Sequence, residues 1–64
     1  MELEEFTEKF VKELVRLGGP TFADGTSVEE YALQTAPLYF AEDWQREDGP
    51  EACAEADFDC WEHA

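Results

Sequence analysis

The chain has 64 residues, with 17 Asp or Glu against four Lys or Arg, so its formal net charge at pH 7 is −13. This length allows one small domain, residues 1–64, and argues against an enzyme that builds its own substrate cleft. The strong negative charge repels nucleic-acid phosphates and anionic membrane surfaces, which argues against direct binding to either. Nine aromatic residues distinguish the chain from typical disordered acidic segments, which lack them.

The distribution of charge and apolar residues predicts an intracellular, cytoplasmic protein. No stretch reaches about 18 consecutive apolar residues, so no membrane span is predicted. Residues 1–5 are acidic where a secretory signal is basic and then apolar. The charge is also uneven, because residues 1–26 carry a net −3 and residues 27–64 a net −10.

An amphipathic helix is predicted over residues 2–17. Its apolar positions recur every three or four residues: Leu3, Phe6, Phe10, Leu14 and Leu17, with Val11 and Val15 beside them. The first turn is acidic and the bases come later, which complements the helix macrodipole. The sequence Gly18-Gly19-Pro20 is expected to end this helix.

A loop over residues 21–26 separates this helix from a second one. Ser27 as N-cap and Glu30 three positions later fit a capping box, which predicts a helix from residue 28 towards residue 35. Pro37 then predicts either a kink or a fresh helix start. A buried strand over residues 38–41 remains an alternative.

The last segment is predicted to be a helix over residues 51–62, with Pro50 at its start. Alternating acids there also suit a strand, but three alanines and the proline favour a helix. Two apolar rows follow helical spacing: Cys53, Ala56 and Cys60 in one, and Ala54, Phe58 and Trp61 in the other. The chain is therefore predicted to be mostly α, a compact bundle of three to four short helices.

Cys53, Cys60 and His63 have the spacing C-x6-C-x2-H, which supplies too few ligands for a zinc site. On a helix the two cysteines lie about 10 Å apart along the axis, too far for a disulfide. We expect both to be buried small side chains and His63 to be exposed. No metal, cofactor or catalytic residue is predicted.

The acidic residues of the second half are the candidate binding residues. On the last helix four of them share a face at a spacing of about 6 Å, which is comparable to the interval between phosphates on one DNA strand: Glu51, Glu55, Asp59 and Glu62. A second acidic group lies just upstream: Glu42, Asp43, Glu47 and Asp48. Together they predict a surface that imitates a phosphate backbone. A merely solubilising surface is the alternative.

Trp44 lies within the upstream acidic group and is the ninth candidate binding residue. Most of the aromatic residues are expected in the core. A tryptophan among acids, however, is typical of a binding hot spot for a basic partner surface.

In length, charge and the acidic patterning of residues 42–62, the chain resembles the small acidic DNA-mimic inhibitors of phages and mobile elements, most of all anti-CRISPR proteins. The resemblance implies a non-enzymatic inhibitor, without a cofactor, in the host cell cytoplasm. Such an inhibitor binds a basic nucleic-acid-binding surface of a Cas protein and blocks target DNA binding. Two alternatives are an antitoxin or regulatory protein with a basic partner, and an interaction module dominated by aromatic contacts. A monomer or small homodimer is expected.

Overall fold

The computed structural model describes residues 1–61 and contains four helices in that range. They are α1 (Leu3–Gly18), α2 (Val28–Phe40), α3 (Asp43–Asp48) and α4 (Pro50–Asp59). Helix α1 packs against both α2 and α4, and the short α3 lies between the end of α2 and the start of α4. The predicted mostly-α bundle of short helices is confirmed.

Helix α1 begins and ends within one residue of its predicted bounds, because its apolar face is the centre of the core. Phe6, Phe10 and Leu14 are fully buried. The Phe6 ring stacks on Phe10 at 6.3 Å between centroids and meets Phe40 edge-on at 5.3 Å. Burial of each such side chain stabilises the fold by about 1.5–3 kcal/mol. Gly19 ends the helix with a φ of 84°, a conformation that favours glycine.

The loop between α1 and α2 folds into a narrow turn. The Phe22 amide donates to the Thr26 carbonyl at 2.8 Å, and the Gly25 amide donates to the Phe22 carbonyl at 2.9 Å. Thr21 and Ser27 form an isolated antiparallel bridge at its base. This turn holds the Phe22 ring against the bundle, where it packs on the core.

Helix α2 starts at the predicted cap, since the Glu30 amide donates to Ser27 Oγ at 3.2 Å. It then continues through Pro37, so both the fresh start at Pro37 and the strand over residues 38–41 are wrong. Proline removes the amide that would bond the Leu33 carbonyl. The face towards α1 carries small buried residues: Val28, Ala32 and Ala36.

Helix α4 begins at Pro50, as predicted, after Gly49 with a φ of 98°. Its buried face consists of Pro50, Cys53, Ala54 and Asp57. The predicted burial of Cys60 is wrong, because α4 ends at Asp59 and the chain turns there. That turn leaves Cys60 exposed and carries Trp61 onto the core. The predicted positions of Glu62 and His63 lie outside the described residues.

Candidate functional site

Eight of the nine candidate binding residues lie in the described part of the chain, and all eight are exposed: Glu42, Asp43, Trp44, Glu47, Asp48, Glu51, Glu55 and Asp59. The ninth, Glu62, lies outside it. The structure divides the eight into two groups with different surroundings. We call residues 42–48 the α3 cluster and the three residues of α4 the α4 ladder.

The α3 cluster contains one base, Arg46, which is held by its own helix and by the end of α2. Its guanidinium donates to Asp43 at 2.5 Å and to the Phe40 carbonyl at 3.2 Å, and lies 5.1 Å from the centroid of the Phe40 ring. Arg46 therefore compensates Asp43. No ion pair within residues 1–61 includes Glu42, Glu47 or Asp48, so these carboxylates face solvent uncompensated.

The α4 ladder faces the bases of α1 at one end. Glu51 lines a groove together with Lys9, Lys12 and Arg16. A hydrogen bond to Glu13 raises the pKa of Arg16, and the nearby charge of Glu55 raises it further. Glu51 and Glu55 therefore lie near the bases of α1, although no ion pair within residues 1–61 includes either of them. The spacing of the acids did not reveal these neighbours.

Trp44 stands beside an apolar groove between α2, α3 and α4, of about 540 Å³. Trp44 is 63% exposed and Leu38 is 71% exposed, which is unusual for side chains of this size. Both line this space, which we call the Trp44 groove, together with Glu42, Tyr39 and the buried Asp57. An exposed aromatic side chain and an exposed leucine beside carboxylates form an amphipathic surface suited to a protein partner.

Asp57 is the main feature of the site that the sequence reasoning missed. It is only 8% exposed, and its carboxylate accepts three hydrogen bonds from side chains. Tyr39 Oη donates to Oδ1 at 2.8 Å, while Tyr31 Oη and Trp61 Nε1 donate to Oδ2 at 2.8 and 3.1 Å. Its position was a usable signal, because Asp57 follows Cys53 by four residues and Ala54 by three, on the apolar face of the helix.

The three donors and Asp57 form what we call the Asp57 cluster, which joins α2 to α4. Burial, and then the bond to Asp57, raises the pKa of both Tyr31 and Tyr39. Both tyrosines therefore remain neutral donors well above neutral pH. Trp61 also packs against Phe22 at 4.7 Å and Phe58 at 5.2 Å between ring centroids. The cluster fixes the floor of the Trp44 groove.

A second apolar groove, of about 760 Å³, lies between α1 and α2 on the other side of α2 from Leu38. Leu3 and Leu33 form its walls and are 42% and 50% exposed. Its rim carries charges of both signs, including Glu8 and Lys12. The sequence reasoning assigned Leu3 to the core stripe and made no assignment for Leu33.

Cys53 is engaged in the fold: its thiol donates to the Gln45 carbonyl at 3.1 Å, and burial raises its pKa. Within residues 1–61 no three His, Cys, Asp or Glu side chains are arranged to hold a metal ion. In the same range, none of the helices combines the length and the apolar character that crossing a membrane requires.

Comparison with known proteins gives no match to a family model, to a curated protein or to a solved structure. The candidate function therefore rests on this chain's own charge, exposure and groove geometry. Of these, the exposed Trp44 within a segment of carboxylates that lack ion pairs is the most specific feature.

Proposed function

We propose that this protein binds a basic nucleic-acid-binding surface of another protein and blocks nucleic-acid binding there, without catalysis. The observation that carries the proposal is the α3 cluster, in which the exposed Trp44 shares a short segment with three carboxylates that no ion pair within residues 1–61 includes. The α4 ladder extends the same acidic character along the next helix.

Carboxylates can replace phosphates on such a surface because the same donors bind both. A groove that neutralises a phosphate backbone presents Lys and Arg side chains, which form charge-assisted hydrogen bonds with carboxylates. The net charge of −13 also steers the two proteins together over long distances. Solubility needs a net charge of only about 2–8 in a small domain. The excess destabilises the fold by self-repulsion, which supports a role in binding.

Trp44 and Leu38 supply the apolar contact that charge alone lacks. Exposed carboxylates form weak, salt-sensitive ion pairs. A large aromatic side chain that is buried on binding adds contact area and slows dissociation. We therefore propose that the acidic residues set the rate of association and that the Trp44 groove sets the lifetime of the complex.

The proposed partner class is a Cas effector or another protein with a DNA-binding groove, in line with the resemblance in size and charge to anti-CRISPR proteins. The exposed Leu38 and Trp44 favour a second candidate, an antitoxin or regulatory module whose partner is basic but binds mainly through apolar contacts. The two candidates differ in salt dependence and in competition with DNA.

A displacement assay tests the proposal. Labelled duplex DNA is bound to a panel of basic proteins, including guide-loaded Cas effectors, and this protein is added at increasing concentration. We expect displacement from a panel member, weakening at least about tenfold between about 50 and 300 mM NaCl because ion pairs are screened. Displacement that does not depend on salt favours the apolar module, and no displacement contradicts the proposal.

Charge reversal identifies the surface. Glu47→Lys with Asp48→Lys changes the α3 cluster near the end of α3, where positive charge suits the helix dipole. Glu2→Lys with Glu4→Lys makes the same change in net charge at the start of α1 and is the matched control, because no ion pair within residues 1–61 includes either residue. We avoid Glu55→Lys, because a lysine there would face Arg16. Much greater loss from the first pair supports the proposal, and equal loss means that only diffuse charge matters.

A further inference from the structure

The Trp44 groove has an unusual combination of walls and floor. Trp44 and Leu38 form apolar sides, Glu42 lies at the rim, and the buried Asp57 lies at the floor. No Lys or Arg lines the groove within the described residues. The groove therefore presents two carboxyl groups and an aromatic ring with no base to compensate them.

Asp57 has an acceptor position left over. A carboxylate offers about four lone-pair positions on its two oxygens. Three are used, two at Oδ2 by Tyr31 and Trp61 and one at Oδ1 by Tyr39. All three donors are neutral, and none of the ion pairs within residues 1–61 includes Asp57. Buried charges in proteins are normally paired with an opposite charge.

The chemistry that complements this groove is a planar cation. A guanidinium can stack on an indole face while its N–H groups donate to carboxylates, whereas an ammonium offers a compact charge and no stacking plane. One cation in the groove would approach both Glu42 and Asp57 and cover the exposed Trp44.

We infer that the Trp44 groove is a subsite for one cationic side chain of a bound protein, with arginine preferred over lysine. This inference rests on the proposed function and names the point on the acidic surface at which a single partner side chain is bound. Three of this chain's own four bases are paired locally, Lys9 with Glu5, Arg16 with Glu13 and Arg46 with Asp43. Copies of net charge −13 also repel one another, so a second copy is a poor occupant.

The test uses a tetra-arginine peptide amide as the probe and nuclear magnetic resonance of the two indole N–H groups. The Trp44→Phe variant lacks one of the two indole N–H signals and so shows which signal belongs to Trp44. We expect both signals to shift and to saturate together, because Trp44 would contact the guanidinium and the Trp61 N–H is bonded to Asp57. Tetra-lysine amide should bind about threefold or more weakly.

Two neutralising substitutions distinguish binding in the Trp44 groove from attraction by the overall negative charge. Glu42→Gln and Glu29→Gln change the net charge equally, but only Glu42 lines the Trp44 groove. Glu42→Gln should weaken tetra-arginine binding about three- to fivefold and Glu29→Gln less than twofold. Trp44→Ala should remove the saturable shift at Trp61. Circular dichroism checks that all the variants keep their helix content.

Equal weakening by the two neutralisations, or an unchanged Trp61 signal at saturation, overturns the inference. So does a shift of the Trp44 signal with protein concentration alone, since a second copy would then cover the groove. These results are independent of the DNA displacement assay. If DNA is displaced but the indole signals do not respond to the peptide, the proposed function stands and the subsite is excluded. If the indole signals respond but DNA is not displaced, the subsite stands and the proposed function is excluded.

Discussion

Two regions of the core are held together by different forces. Under α1, the side chains of Phe6, Phe10 and Leu14 pack against α2 with no polar contact among them. Next to it, the Asp57 carboxylate joins α4 to α2 through two directional hydrogen bonds from Tyr31 and Tyr39, and a third comes from Trp61 just beyond α4. The first region distributes its stabilisation over many contacts. The second depends on one side chain, so a change of a few atoms affects two helices at once.

The largest loss of stability should come from the apolar region. Phe10→Ala should lower the free energy of unfolding by about 3–5 kcal/mol, since it removes a fully buried ring and leaves a cavity. Urea denaturation followed by circular dichroism measures the change. Leu33→Ala, at a half-exposed position of α2, is the control and should cost much less. A loss below about 1 kcal/mol for Phe10→Ala would show that the ring is not in the core.

A smaller loss should come from the Asp57 cluster. Asp57→Asn keeps the shape of the side chain but replaces an acceptor oxygen with a donor NH₂ opposite tyrosine and tryptophan donors. Stability should fall by about 1–3 kcal/mol, the cost of partly buried donors without an acceptor. Asp59→Asn, on the exposed side of the same helix, should have almost no effect. If both variants lose equally, the three hydrogen bonds do not hold α4 in place.

The two regions also differ in how far the sequence revealed them. The spacing of Phe6, Phe10 and Leu14 predicts α1 almost to the residue, because a helix has to bury an apolar stripe. The cap at Ser27 and the start at Pro50 follow from local backbone chemistry in the same way. Such features depend only on neighbours along the chain.

The hydrogen bonds of Asp57 could not be assigned in that way, because two of the three donors, Tyr31 and Tyr39, come from a different helix. From composition alone, Asp57 counts as one more surface acid, whereas its position on α4 lies on the buried face of the helix. Cys60 shows the opposite error: its spacing from Cys53 suggests burial, but α4 ends one residue before it. The groove at Trp44 likewise depends on how α2, α3 and α4 meet, which spacing within one segment does not define.

The close approach of Trp61 to α1 gives a third test, of moderate size. A Cβ added at Gly18 would overlap the Trp61 ring, so Gly18→Ala has to displace it from the Asp57 cluster. The cost of overpacking exceeds the gain in helix propensity, and we expect a net loss of about 1 kcal/mol. In a Trp61→Leu background the same change should be neutral or stabilising. A loss of equal size in both backgrounds would contradict this contact.

The smallest expected effect is a loss of stability at alkaline pH. It tests the Asp57 cluster, to which the two titrating tyrosines belong, and not the apolar region under α1. Because burial and the bond to Asp57 raise the pKa of Tyr31 and Tyr39 in the folded state, their contribution is complete below the unfolded-state value of about 10. It is lost as the pH rises above that value. The melting temperature should therefore fall as the pH rises above about 10. Tyr39→Phe should have a lower stability at neutral pH but a shallower fall, and an unchanged slope would exclude this tyrosine as a cause.

The unequal surroundings of the two cysteines supply a built-in reporter of local opening. Cys60 is exposed, while the Cys53 thiol is buried against the Gln45 carbonyl. A maleimide dye should therefore attach at Cys60 within minutes in the native protein, and storage without reductant should link chains through Cys60. Once Cys60 is replaced by Ser, the rate of Cys53 labelling reports how often α4 separates from α3, the movement that would also open the Trp44 groove.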